Sequence, residues 1–226
     1  MPSNGKDFYR RRLPHYQPAQ ATFFVTYRLT GSLPLEVVKE LMRERDATRK
    51  QIEKEKDPKR KELLLEESRK RYFGRFDSYL DTIQSGNKWL SNDAVAGIVN
   101  EAILHRDGSV YDLLAFSIMP NHVHQVISLG KQLTEPLAQR AGVPSYIVTD
   151  ILSGLKKFTA LHANRILGRE GQFWQHETYD HVVRDNAELG RIIQYVAYNP
   201  VGAGLCKSWR EWKWTYVAAP YVKSIS

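Results

Sequence analysis

The chain has 226 residues, with 33 Lys plus Arg against 25 Asp plus Glu and a formal net charge of +8. That length supports one well-buried core with an elaboration, and the basic balance suits a polyanionic partner. A single cysteine, Cys206, excludes an intramolecular disulfide framework and a cysteine-rich zinc site, so any metal must be held by His, Asn or carboxylate groups. No apolar run reaches signal-peptide or membrane-spanning length, and the expectation is a cytoplasmic chain that neither enters nor crosses a membrane.

Residues 1–20 carry Arg10, Arg11 and Arg12 together with Pro14 and Pro18, the pattern of an irregular basic arm. From Thr22 to Leu29, Phe23, Val25, Tyr27 and Leu29 alternate with Phe24, Thr26 and Arg28, which predicts a strand with one deeply buried face. Over about residues 35–90 Glu, Lys and Arg dominate, apolar positions such as Leu35, Val38 and Met42 recur at helical spacing, and Asp57-Pro58 breaks the run. This predicts an inserted, charged helical hairpin whose charges are mostly solvated surface.

A helix is expected over Asn92 to His105, then two strands, about 110–118 and 122–129, joined by Met119-Pro120-Asn121 and therefore antiparallel. Ser145 to Leu167 show helical periodicity through Ile147, Ile151, Leu155, Phe158 and Leu161 or His162. Phe173 to Arg184 reads as a strand, Asn186 as the N-cap of a helix ending before Pro200, and residues from about 201 to 226 as an aromatic and basic tail. The order β, helices, β, β, α, β, α fits one α+β domain: a ferredoxin-like or RRM-like antiparallel sheet with helices packed on one side.

Met119-Pro120-Asn121-His122-Val123-His124 delivers two imidazoles, one residue apart, straight out of a tight turn. Strand side chains alternate, so both rings point to one face and Val123 to the other; paired imidazoles on one face can hold a divalent cation. On the predicted helix 187–199, a step of about 100° per residue groups Leu189, Ile192, Ile193 and Val196 as the core stripe. Tyr195 and Asn199 then lie within roughly 40° of each other at its margin, Glu188 projects on the same margin, and Tyr198 points away.

The segments Phe23-Phe24-Val25-Thr26, Ile118 to His124, Tyr179-Asp180-His181-Val182-Val183-Arg184 and Tyr195 to Val201 together resemble the REP-associated tyrosine transposases, domesticated relatives of the single-tyrosine HUH transposases. The resemblance covers most of the chain outside residues 35–90. It implies a ferredoxin-like fold with His122 and His124 as metal ligands, Tyr195 as nucleophile and Asn199 as a third ligand through its side-chain oxygen. Mobile relatives usually carry glutamine four residues after the tyrosine, where this chain has the shorter asparagine.

Two imidazoles and an amide oxygen leave a cation's charge uncompensated and positions open for water and phosphate, which favours Mg²⁺ or Mn²⁺ as a Lewis acid. The implied reaction is nicking and joining of single-stranded DNA beside a hairpin, with Tyr195 carrying the 5′-phosphate. Arg10, Arg11, Arg12, Lys156, Lys157, Arg184 and Arg191 are the candidates for phosphate contacts. Trp209, Trp212, Trp214 and Tyr216 either stack unpaired bases or form a packed terminal strand over the core. The alternatives are a hairpin-binding protein without cleavage, or a zinc metallohydrolase using His176 or His181 as a further ligand. The partner is single-stranded hairpin DNA, engaged by a monomer or a homodimer.

Overall fold

The computed structural model describes residues 21–82, 85–130 and 147–225; the Arg10 to Arg12 arm and the expected helix start at Ser145 lie outside them. Alternating aromatic and β-branched residues form β1 (Thr22–Leu29), and the two strands flanking the Met119-Pro120-Asn121 turn are β2 (Asp112–Ile118) and β3 (His122–Ser128). With β4 (Trp174–Val183) and β5 (Thr215–Val217) they make one antiparallel sheet in the order β4-β1-β3-β2-β5. Its first four strands have the ferredoxin-like order, and β5, drawn from the aromatic tail, adds an edge.

The helices are α1 (Leu35–Ile52), α2 (Pro58–Thr82), α3 (Asp93–Leu104), α4 (Ile147–Ile166), α5 (Asn186–Gly202) and α6 (Ala219–Val222). They cover both faces of the sheet, not one. Phe23, Val25, Tyr27, Leu113, Val123 and Ile127 pack under α3 and α4, whereas Phe24, Ala115 and Val126 pack under α5 with Leu189, Ile193, Val196 and Ala197. The second face of β1 is accordingly buried as well: Phe24, Thr26 and Arg28 are each at most 7% exposed. No described helix is long and apolar enough to cross a membrane.

Several local expectations shift. The buried stripe of α4 is Val148, Leu152, Leu155, Thr159 and Ala163, while Phe158 and Leu161 are exposed. Thr159 competes for a core position because its hydroxyl is satisfied there, donating to Leu155 O at 2.8 Å and accepting from Trp174 Nε1 at 2.8 Å. The cap of α5 is Asp185, whose carboxylate accepts from Glu188 N, so Asn186 is already in the first turn. The helix also runs past Pro200 to Gly202, placing the proline in its closing turns. The aromatic tail is packed: Trp212 Nε1 donates to Ile118 O at 3.0 Å, Tyr216 stacks on Phe116 and Trp209 is buried.

The charged hairpin departs most from expectation. Along α2, Phe73 packs face to face on Tyr179 of β4 and edge-on to Phe24 of β1, and Arg28 lies over Phe76. Asp77 and Leu80 are buried. Beyond α2, Gly86 (φ +106°) passes so close to the turn after β1 that a Cβ would fall 2.6 Å from Ser32 O, and Asn87 Nδ2 donates to Thr30 O at 2.7 Å. The hairpin is thus folded onto the sheet as its second-face cover.

Because Asp185 and not Asn186 caps α5, Asp185→Ala is expected to lower stability by about 1 kcal/mol in urea denaturation, and Asn186→Ala by a few tenths at most.

Candidate functional site

The sheet places His122 and His124 on the face shared by α2 and α5, with Arg28 and Thr26 as their cross-strand partners on β1. Both rings are fully buried, and their Nε2 atoms are 3.0 Å apart. The other nitrogens are held from behind. Asn121 Nδ2 donates to Leu80 O of α2 at 2.8 Å, so its Oδ1, 2.7 Å from His122 Nδ1, accepts the proton there and His122 Nε2 is left with a bare lone pair. His124 Nδ1 is 2.7 Å from Thr26 Oγ1, a hydroxyl that can donate or accept and therefore serves either tautomer.

Helix α2 contributes what the sequence did not reveal. Asp77 and Asp81, four residues apart and hence on one helical face, point at the imidazoles: Asp77 Oδ1 is 3.3 Å from His124 Nε2, and Asp81 Oδ1 is 3.9 Å from His122 Nε2. Ligand atoms of Asp77, His122 and His124 all lie within 4.8 Å of one another, a grouping that can hold a metal ion. The signal was an acid on the inward stripe Phe73, Asp77, Leu80, where a solvated charge run should have left an apolar residue.

From the other side α5 brings Tyr195 and Asn199. The Tyr195 ring centroid is 5.4 Å from that of His124 and 6.1 Å from Phe24, and the side chain is 37% exposed, at the rim of the seam. Asn199 Nδ2 donates to Asp81 Oδ2 at 3.2 Å, which leaves Asn199 Oδ1 buried and without a hydrogen-bond partner; Asp77 Oδ1 and Asp81 Oδ1 are orphaned likewise. Buried acceptors rarely go unpaired, and one of these, Asp77 Oδ1, belongs to the grouping with the two imidazoles that can hold a cation. Tyr198 turns away and donates to Ile225 O at 3.2 Å. A cavity of about 70 Å³ bordered by Asp81, Lys88, Pro120 and Asn121 opens beside the carboxylate end of the seam.

Burial sets the electrostatics. It pushes Asp77 up to about 8, reinforced by Asp81, and Asp81 up to about 6 against the bond from Asn199. It also pushes His122 down to about 3 and His124 well below the ordinary imidazole value, with His122 adding to the latter. The seam as built therefore disfavours charge on every group, which a bound cation would reverse for the carboxylates.

The other expected residues do not converge here. Glu188 accepts from Arg184 N at 2.9 Å and lies 3.1 Å from His181 Nε2, tying β4 to α5 away from the seam. Lys156 Nζ donates to Gln175 O, His176 O and Thr178 Oγ1, a strand-holding role. Arg184 pairs with Glu66 of α2, while Lys157 and Arg191 are exposed.

No family model matches the chain. It is 28% identical over 106 residues to a Haemophilus influenzae protein provisionally named a REP-associated tyrosine transposase, a match covering 46% of this chain and 58% of that relative's length. The sequence resemblance to REP-associated tyrosine transposases is thus found again in a protein carrying that name. A solved REP-associated tyrosine transposase bound to a REP hairpin superposes over 90% of this chain and 80% of its own, with TM-score 0.48 and 13% identity.

The shifts fix a pH window for the cation-free protein. Below the ordinary imidazole range the buried histidines make stability rise with pH, because the unfolded chain binds their protons and the native one does not. Asp77 acts oppositely, retaining its proton in the native state up to about 8. Between pH ~6.5 and 8 Asp77 dominates among the described groups, with Asp81 adding in the same direction at the lower end, so stability in chelator falls as pH rises, with a slope of about 1.4 kcal/mol per pH unit per proton released. Denaturant titrations should show this fall, flattened in Asp77→Asn.

Proposed function

We propose that the chain nicks and rejoins single-stranded DNA beside a hairpin, through a covalent bond between Tyr195 and the 5′-phosphate at the break. The observation that carries this reading is the approach of the Tyr195 ring to His124 of the buried His122–His124 pair, 5.4 Å between centroids, with Asn199 one helical turn further along α5. The name of the Haemophilus influenzae relative agrees with it, although the match spans only about half of each chain.

His122, His124, Asn199 and Asp77 fit a divalent cation, and the ion expected is Mg²⁺ or Mn²⁺. Two imidazoles with amide and carboxylate oxygens make a donor set mostly of oxygen and nitrogen, which suits these hard cations. Neither His176 nor His181 belongs to the cluster of ligand atoms, which weighs against the zinc hydrolase. When bound, the cation supplies positive charge to the phosphate's non-bridging oxygens.

Tyr195 performs the covalent step. Its phenol oxygen forms a bond to phosphorus in line with the departing 3′-oxygen, that P–O bond breaks, and the phenol proton passes through solvent to the 3′-oxygen. One phosphodiester is exchanged for another, so a free 3′-hydroxyl reverses the step and joins strands without ATP. The rim position suits a nucleophile that must meet a strand arriving from solvent. Asn121 and Thr26 hold the imidazoles in orientation from behind, and the exposed Lys157 and Arg191 are available to phosphates.

Hairpin-bearing single-stranded DNA incubated with Mn²⁺ should give a covalent protein–DNA adduct resolved by denaturing electrophoresis. Tyr195→Phe is expected to abolish it and Tyr198→Phe to leave it within about twofold; an adduct in Tyr195→Phe would sink the assignment. His122→Ala should remove cleavage while sparing much of the hairpin binding, and that binding should weaken steeply with added salt.

A further inference from the structure

We infer that the α1–α2 hairpin is a cation-clamped cover of the active-site seam: helix α2 supplies Asp77 to the cation and orients Asn199 and His122 toward it, so binding the ion and docking the hairpin are one coupled event. The inference rests on the metal site proposed above and concerns α2, the third of the elements that build it.

Three observations carry it. First, the groups that would hold the cation come from separate parts of the fold, His122 and His124 from β3, Asn199 from α5 and Asp77 from α2, so the full set exists only while α2 is docked. Secondly, α2 acts on the donors of the other elements. Asp81 Oδ2 accepts a hydrogen bond from Asn199 Nδ2 and so leaves Asn199 Oδ1 free of it, while the Leu80 carbonyl accepts from Asn121 Nδ2 and so fixes the His122 tautomer through Asn121 Oδ1. Thirdly, the docked seam is closed. His122 and His124 have no exposed surface, and Asp77 and Asn199 are at most 5% exposed, yet Asp77 Oδ1, Asp81 Oδ1 and Asn199 Oδ1 lack hydrogen-bond partners.

The buried Asp77 carboxylate and the partly buried Asp81 beside it, each with an unpartnered oxygen, oppose docking, and a divalent cation bound there reverses the sign. An ion bound by the docked form alone stabilises docking by the factor 1 + [ion]/Kd, about a hundredfold at a hundred times Kd. Linkage also runs the other way, so whatever displaces α2 weakens the ion. Other ties of α2 include the contacts of Phe73 with Tyr179 and Phe24, the Arg28–Phe76 contact and the ion pairs of Glu66 with Arg184 and Lys70 with Glu188. They tether the helix elsewhere and do not complete the donor set.

The test is amide hydrogen exchange of the full-length protein in chelator and in Mn²⁺ alone, beside calorimetric measurement of Mn²⁺ binding. The expected result is that saturating Mn²⁺ slows exchange across residues 72–82 by about a hundredfold at a hundred times Kd, while β1 and β3 change little. Asp77→Asn, close to isosteric, should lose most of that slowing and bind Mn²⁺ at least tenfold more weakly. Glu66→Gln, at the far end of α2, should keep the full Mn²⁺ response. Mn²⁺ binding to the wild type with unchanged exchange over 72–82, or a full response in Asp77→Asn, overturns the clamp and leaves the metal site standing. A wild type that binds no Mn²⁺ overturns both.

Discussion

The structure turns on the burial of polar groups that cannot all satisfy one another. Two imidazoles, two carboxylates and an amide oxygen meet between β3, α2 and α5, and the three oxygens Asp77 Oδ1, Asp81 Oδ1 and Asn199 Oδ1 are left without partners. Leaving such groups unpaired in an apolar interior costs about 1–3 kcal/mol each, more where a group is charged. A fold holds such an arrangement only if packing around it is over-determined. That surplus is visible here: the imidazoles stand on a strand paired on both sides, and the helices above them are fixed by aromatic stacking and a side-chain cap.

The same constraint explains why both faces of the sheet are covered. A ferredoxin-like sheet needs helices on one face only to build a core, and α3 and α4 provide them. The opposite face carries His122, His124, Thr26 and Arg28 as well as Phe24 and Val126, too polar to be an ordinary core and too apolar to lie open to water. Helix α5 takes the apolar half, over Ala115 and Val126. Helix α2 takes the polar half, matching carboxylates to imidazoles and rings to Phe24 and Tyr179. What reads in sequence as an insertion is therefore half of the site's walls.

How much of this was legible depends on range. Strand alternation and turn chemistry are local, so Thr22–Leu29 and the two strands around Met119-Pro120-Asn121 stand close to where the sequence puts them. The pairing of Tyr195 with Asn199, and the divergence of Tyr198, also follow from one helix's own geometry. Asp77 and Asp81 were hidden because their role depends on which face of a charged helix meets the sheet, and within residues 58–82 charges lie all around the wheel. Thr159 misleads for a related reason: its hydroxyl is satisfied by Leu155 and Trp174, nineteen residues apart in sequence, so a polar residue occupies a buried position that hydropathy assigns to Phe158.

Asn199 is a short side chain at the margin of α5, and its direction is set partly from another helix. Ala197 and Ala115 both lie in the cluster beneath α5, and small side chains at a helix contact permit a closer approach of the backbones. A shorter side chain also has one fewer torsion to fix, and Asp81 fixes the amide's direction from α2. A long, self-positioned side chain can serve as ligand from its own helix alone, whereas a short one held by a neighbouring carboxylate makes its orientation depend on that neighbour's helix. Asn199 and the acidic face of α2 are thus one arrangement, because the bond to Asp81 ties the direction of the amide to the docking of the second helix.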